Sequence, residues 1–268
     1  MYQLLATDID DTLLAPDGTI PPANFHALNR LRDAGVFVVL SSGRATISMR
    51  SVAAKLFPAE DAGFLISFNG ARVISLAQGE PLVDRPVSAE ALKDIVMFTR
   101  EHGILIHGYD EVAFLSEQDD PRCVAYGHGV DMHHRVVPDL IEALPQGSAK
   151  LLILHDPAEI PRLKQELDSL SRGRFETTVS KPSYLEIIGP GVSKGSALTQ
   201  LAALCSIPLE QTVAVGDSLN DIEMIQAAGL GLAVANARPE VCDAAAIVLE
   251  RSAAEGALEE VAERFFSR

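Results

Sequence analysis

Tyr2-Gln3-Leu4-Leu5-Ala6-Thr7-Asp8-Ile9-Asp10-Asp11-Thr12-Leu13 is the stretch on which the fold turns. A short apolar run ends in acids, the pattern of a buried strand that delivers Asp8 and Asp10 into a loop. Downstream, Pro21 and Pro22 open a helical pattern in which Phe25, Leu28 and Leu31 recur at helical spacing, closed by Gly35. Val36-Phe37-Val38-Val39-Leu40 is too short and too branched to prefer helix, and it runs into Ser41-Ser42-Gly43-Arg44. A helix over roughly 45–56 then leads to Phe64-Leu65-Ile66-Ser67-Phe68 and the turn Asn69-Gly70-Ala71. Strands and helices alternate, and the apolar runs lack polar alternation. That combination predicts an α/β fold with a doubly wound parallel sheet covered on both faces.

Between roughly 82 and 185 the rhythm changes. Helical stretches near 88–102, 119–128 and 157–170 alternate with short strands near 103–107, 112–116, 149–154 and 174–179, the pattern of an α+β module with its own small sheet. After Tyr184-Leu185-Glu186-Ile187-Ile188 the first rhythm returns, with a helix from about Ser193, the strand Thr212-Val213-Ala214-Val215, a helix from Ser218 and the short strand Leu230-Gly231-Leu232-Ala233-Val234. The expected organisation is a catalytic core of 1–82 and 186–268 with an α+β domain of 83–185 inserted in it. No internal repeat or low-complexity tract interrupts this pattern.

Composition narrows the function classes. The 268 residues are 47% hydrophobic and carry a formal net charge of −15. An acidic surface disfavours nucleic acid as a partner but leaves small phosphates open, because a local cation can overrule the global sign. The three cysteines, Cys123, Cys205 and Cys242, have no CxxC spacing and fit neither a disulfide framework nor a structural zinc site. No uninterrupted apolar stretch of about 18 residues spans a membrane. The N-terminus lacks the pattern of a signal peptide, so a reducing cytoplasm is expected.

In an open parallel sheet, ligands bind beyond the carboxyl ends of the strands. Those ends receive Asp8 and Asp10, then Ser42, then Gly216-Asp217-Ser218-Leu219-Asn220-Asp221, while Lys194 starts the helix before the last of these strands. Carboxylates gathered there repel one another unless a cation neutralises them, and an all-oxygen donor set suits Mg2+. Such a site is built for phosphate chemistry, where positioning and charge neutralisation are what a protein can supply.

With these residues in view the chain resembles the haloacid dehalogenase superfamily, and within it the Cof-type sugar-phosphatase-like branch. Asp8-Ile9-Asp10-Asp11-Thr12-Leu13, Ser41-Ser42-Gly43-Arg44, Val192-Ser193-Lys194-Gly195 and Gly216-Asp217-Ser218-Leu219-Asn220-Asp221 are similar to its four motifs, in the same order. Ser42 stands where threonine is common in that branch, and either hydroxyl donates the same bond. The resemblance implies a Rossmann-like core with a mobile C2-type cap. It implies a Mg2+-dependent phosphatase that forms an aspartyl-phosphate on Asp8, with Asp10 as acid and base. Lys194 would steady the nucleophile and the equatorial oxygens. The metal would be held by Asp8, the Asp10 carbonyl and Asp217, with Asp221 in support, and phosphate would lie against Ser42, Gly43, Lys194 and Asn220. The expected substrate is a small phosphorylated metabolite, whether a sugar phosphate, a phosphorylated cofactor or another small phosphate monoester.

Blander readings compete for several of these residues. Ser218 and Asp221 form the pattern of a helix capping box, and Ser42 can cap the helix that follows it. Arg44 faces phosphate or ties loops together. The pair His133-His134 lacks the partner spacing of a metal site. A phosphomutase would use the same nucleophile. A haloacid dehalogenase would not need the acid at Asp10. A non-catalytic ligand-binding module would not need every motif acid, and all are present. The sequence leaves monomer and homodimer equally open.

Overall fold

The computed structural model describes residues 1–57, 63–130 and 132–266. The chain divides into two compact units, Met1–Val83 with Ser193–Arg268, and Asp84–Val192. The first unit begins β1 (Leu4–Asp8), α1 (Pro22–Asp33), β2 (Phe37–Ser41), α2 (Thr46–Leu56), β3 (Phe64–Ser67) and β4 (Arg72–Ser75), and β5 (Pro81–Asp84) leads out of it. The second unit contains α3 (Ala89–His102), β6 (Ile106–Tyr109), β7 (Ala113–Ser116), α4 (Pro121–Val130), β8 (His133–Val136), α5 (Leu140–Ala143), β9 (Leu151–Leu154), α6 (Ile160–Ser171), β10 (Glu176–Lys181) and β11 (Tyr184–Ile188). The first unit resumes with α7 (Lys194–Leu204), β12 (Thr212–Gly216), α8 (Ile222–Ala227), β13 (Leu230–Ala233), α9 (Pro239–Ala244), β14 (Ile247–Val248) and α10 (Ala257–Val261).

The sheet of the first unit has the order β14-β13-β12-β1-β2-β3-β4-β5. β1 pairs in parallel with both β2 and β12, so the chain winds one way through β2 and β3 and the other way through β12, β13 and β14. The order therefore reverses between β1 and β12, the kind of place where open α/β sheets bind ligands. Register fixes what arrives there: Thr7 lies opposite Val215, and Asp8 lies opposite Ser41. The departure from an all-parallel sheet is β4, which turns back antiparallel on β3 after the Phe68-Asn69-Gly70 turn.

Both faces of this sheet are buried, which is why its strands read as unbroken apolar runs. Leu5, Val38, Leu40, Val213 and Val215 pack on one face with α1, α2 and α10. Leu4, Ala6, Val39 and Ala214 pack on the other with Leu198 and Leu201 of α7 and Met224 of α8. The helix expected from Ser218 is a 3-10 turn over Leu219–Asp221 that passes into α8.

The second unit has its own sheet, β10-β11-β9-β6-β7-β8, antiparallel except where β7 and β8 run together. Leu185 and Ile187 of β11 enter its core beside α3 and α6. Residues 184–188 thus belong to this sheet and do not begin the return to the first unit, and the boundary expected at 185/186 moves to Val192/Ser193. The apolar run misled because Glu186, which ought to mark an exposed face, is itself buried beside Lys150 at 3.3 Å. His134 of β8 bonds Ser116 while its neighbour His133 is exposed, so the adjacent histidines do not converge. No helix among the described residues is long and apolar enough to cross a membrane.

Leu5 sits at the centre of the first unit's sheet with no exposed surface. Truncation to alanine should cost about 3 kcal/mol, read as a lower urea midpoint for that unit. Met97→Ala, at a half-exposed helix position, should move stability by less than about 0.5 kcal/mol.

Candidate active site

Asp8 is the last residue of β1 and Asp217 the first beyond β12, so adjacent parallel strands deliver both carboxylates to the reversal point. Asp221 follows four residues on, in the 3-10 turn. One oxygen of Asp221 accepts the N–H groups of Asp217 and Ser218, at 3.1 and 2.9 Å, closing a capping box. Gly216 makes this approach possible, because a Cβ there would lie 2.4 Å from that of Asp221.

Lys194 opens α7 behind a Ser193–Ser196 capping box, and its side chain has no exposed surface. Its ammonium donates to Asp8 Oδ1 at 2.5 Å and to Asp221 Oδ1 at 2.6 Å. A cation at a helix N-terminus opposes the helix dipole, so its place is set by these two carboxylates and not by the helix. Burial works against its charge, but Asp221 and Asp8 overrule that and hold its pKa above the ordinary lysine value. Burial pushes the Asp8 carboxyl well above the usual range; Lys194 opposes the rise, while Asp221 and Asp217 add to it. Burial likewise raises Asp217.

Asp8, Asp217 and Asp221 each offer an oxygen within 4.8 Å of the others, the one such group of acids, histidines or cysteines among the described residues. With all three carboxylates ionised, they leave two negative charges in excess over the one ammonium. The donor set, all oxygen and doubly negative, fits a hard divalent cation such as Mg2+.

The remaining expected residues occupy neighbouring loops. Ser42 is buried, and its hydroxyl accepts the Arg44 N–H at 3.2 Å instead of touching the acids. Gly43 lies against the Asn69 amide, so a Cβ there would meet it at 2.9 Å. Asn220 donates to that same amide at 2.9 Å, tying the loop after β12 to the turn after β3. That turn is backbone-strained: Phe68 and Asn69 adopt positive φ, and Gly70, at φ +103°, packs where a Cβ would strike the Ser193 carbonyl. Asp11 also has positive φ. Such outliers cost about 1–3 kcal/mol each and gather at functional sites. The Asp10 carboxylate stays outside the buried cluster, half exposed, and pairs with Arg44.

Two hydroxyls complete the site, that of Thr12, given no role from sequence, and that of Ser218, read there only as a cap. Thr12 donates to Asp217 Oδ1 at 3.0 Å, and Ser218 donates to Asp217 Oδ2 at 2.8 Å. Thr12 lies within the first motif quoted above, directly after Asp11, but nothing in that motif marks its bond to an acid 205 positions away.

Comparison with known proteins agrees with this geometry. Residues 5–261 match the haloacid dehalogenase-like hydrolase family. An HMP-PP phosphatase of Yersinia pseudotuberculosis serotype O:1b is 30% identical over 241 residues, covering 90% of this chain and 86% of its own. A crystal structure of a haloacid dehalogenase-like hydrolase from Bacteroides thetaiotaomicron superposes with a TM-score of 0.92 at 28% identity, covering 99% of this chain and all of its own. An X-ray structure from Thermotoga maritima gives 0.91 at 29% identity, covering 100% of this chain and 99% of its own. The chain belongs to the haloacid dehalogenase-like hydrolases and is an enzyme of their phosphatase kind.

Proposed function

We propose that this enzyme hydrolyses small phosphate monoesters through an aspartyl-phosphate on Asp8, with Mg2+ held at the carboxylate cluster. The observation that carries this reading is the buried set of Asp8, Asp217 and Asp221 around Lys194, left two charges negative at the sheet's reversal point.

Lys194 occupies Oδ1 of Asp8, and Oδ2 is the oxygen assigned to attack. A new bond forms from it to phosphorus as the bond to the leaving oxygen breaks, the electron pair departing with that oxygen. Asp10 supplies the proton that the leaving oxygen needs. Water then attacks the phosphoaspartate, Asp10 takes its proton, and inorganic phosphate and the free Asp8 carboxylate result. Mg2+, bound by Asp8, Asp217 and the Asp10 carbonyl with Asp221 in support, would neutralise charge on the cluster and on the transferring group. Thr12 and Ser218 hold the Asp217 carboxylate in place. Ser42, Gly43 and Asn220 are assigned to the phosphate oxygens. The separately cored unit Asp84–Val192 is assigned to substrate selection.

The substrate class is that of small phosphorylated metabolites; one relative is named for HMP-PP, and that compound belongs in a test panel with sugar phosphates and phosphorylated cofactors.

Asp8→Asn should lower phosphate release from p-nitrophenyl phosphate by at least about a thousandfold with the circular dichroism spectrum unchanged, since a neutral amide cannot attack phosphorus. Measurable residual turnover near the wild-type level would remove Asp8 as nucleophile. EDTA should silence the enzyme and added Mg2+ restore it; full activity in metal-free buffer refutes the metal assignment. Asp217→Ala should raise the Mg2+ concentration for half-maximal activity by roughly tenfold or more, whereas an unchanged titration takes that residue out of the site.

A further inference from the structure

Arg44 reaches the acid to which proton transfer is assigned. Its Nε donates to Asp10 Oδ2 at 2.9 Å and its Nη2 to Asp10 Oδ1 at 2.5 Å. Two N–H groups on two oxygens fix the plane of a carboxylate as well as its position, which a single charge cannot do. Both partners stand on constrained backbone. The Arg44 N–H is tied to Ser42 Oγ, and its carbonyl accepts the Phe68 N–H at 2.9 Å. Asp10 lies in a tight turn in which the Leu13 and Leu14 N–H groups both return to the Ile9 carbonyl.

Stability does not account for the pair. Asp10 is 51% exposed and Arg44 33%, and ion pairs in that setting contribute about 0–1 kcal/mol. What such a fork does fix is orientation. Each carboxylate oxygen has about two lone-pair positions, so the fork leaves one on Asp10 to carry the proton donated to a leaving oxygen, or to accept a hydrogen bond from a water.

We propose that Arg44 is a positioning residue for proton transfer: its guanidinium fork holds the Asp10 carboxyl group in the one orientation from which it meets the leaving oxygen. This rests on the assignment of Asp10 as acid and base. The proton passes from Asp10 to the leaving oxygen as the phosphorus–oxygen bond breaks, and it is replaced from the hydrolytic water.

The test compares two esters of equal size whose leaving groups differ in their need for a proton, p-nitrophenyl phosphate and phenyl phosphate. The readout is the ratio of their kcat/KM values in wild type, Arg44→Ala, Arg44→Lys and Asp10→Asn, each checked for an intact thermal transition. General acid catalysis contributes about 10²–10⁴ to rate. Both Asp10→Asn and Arg44→Ala should widen the ratio in favour of p-nitrophenyl phosphate, by about tenfold or more. Lysine, which keeps the charge without the fork, should recover only part of the loss on phenyl phosphate. If Asp10→Asn widens the ratio while Arg44→Ala slows both esters equally, Arg44 contacts phosphate or braces the loops, and the inference is overturned with the acid role intact. A ratio unmoved in Asp10→Asn removes the acid role and the inference with it. Faster turnover of phenyl phosphate in Arg44→Ala means that the fork restrains Asp10, and that too overturns the inference.

Discussion

The ammonium of Lys194, enclosed between Asp8 and Asp221, is the contact on which the site depends. A lysine with no exposed surface has lost its hydration, a penalty of several kcal/mol that only close carboxylates offset. Removing one partner of such a pair typically costs about 3–5 kcal/mol, because the other charge is left stranded. Lys194 is therefore fixed by its neighbours, and it fixes them in turn. It joins the start of α7, the end of β1 and the 3-10 turn after β12, three segments far apart in sequence. The same contact occupies one oxygen of Asp8 and leaves the other for the attack proposed above.

Backbone geometry makes that contact available. β1 and β12 are adjacent and parallel, so their last residues reach the same edge of the sheet. Asp221 arrives there because Gly216 has no side chain to block it and because two amide N–H groups at the head of the 3-10 turn hold its second oxygen. One carboxylate thus caps a turn and binds an ammonium together. The capping read from sequence uses one oxygen of Asp221, and the other receives Lys194.

What was legible in the sequence follows from where the information lies. Asp8, Lys194 and Asp217 stand next to strong local signals, an apolar strand or a helix start, and their convergence follows from the topology those signals dictate. The antiparallel strand β4 follows the Asn69-Gly70 turn but is four residues long, too short for periodicity to mark. β8 is polar and mostly exposed, so no apolar run announces it. The boundary near 186 was obscured because a buried Lys150–Glu186 pair let an acid sit inside an interior strand. The Arg44–Asp10 fork and the Thr12–Asp217 bond join residues 34 and 205 positions apart, and no local pattern encodes which side chains meet across such a distance.

Charge explains why an acidic chain can act on an anionic substrate at all. Unit charges 4 Å apart interact by about 4 kcal/mol at an effective dielectric near 20. A phosphate dianion facing a cluster with two negative charges in excess forms four such repulsive pairs, on the order of 15 kcal/mol, far beyond what a few hydrogen bonds return. Protonating Asp8 would relieve the repulsion but remove the proposed nucleophile. Lys194 cannot supply the relief, since its charge is already counted in that balance and is committed to Asp8 and Asp221. Compensation must come from a further positive charge that leaves Asp8 ionised. A hard divalent ion would supply it with the oxygen donors present, and in the proposed mechanism that cation is a condition of substrate entry as well as of reaction.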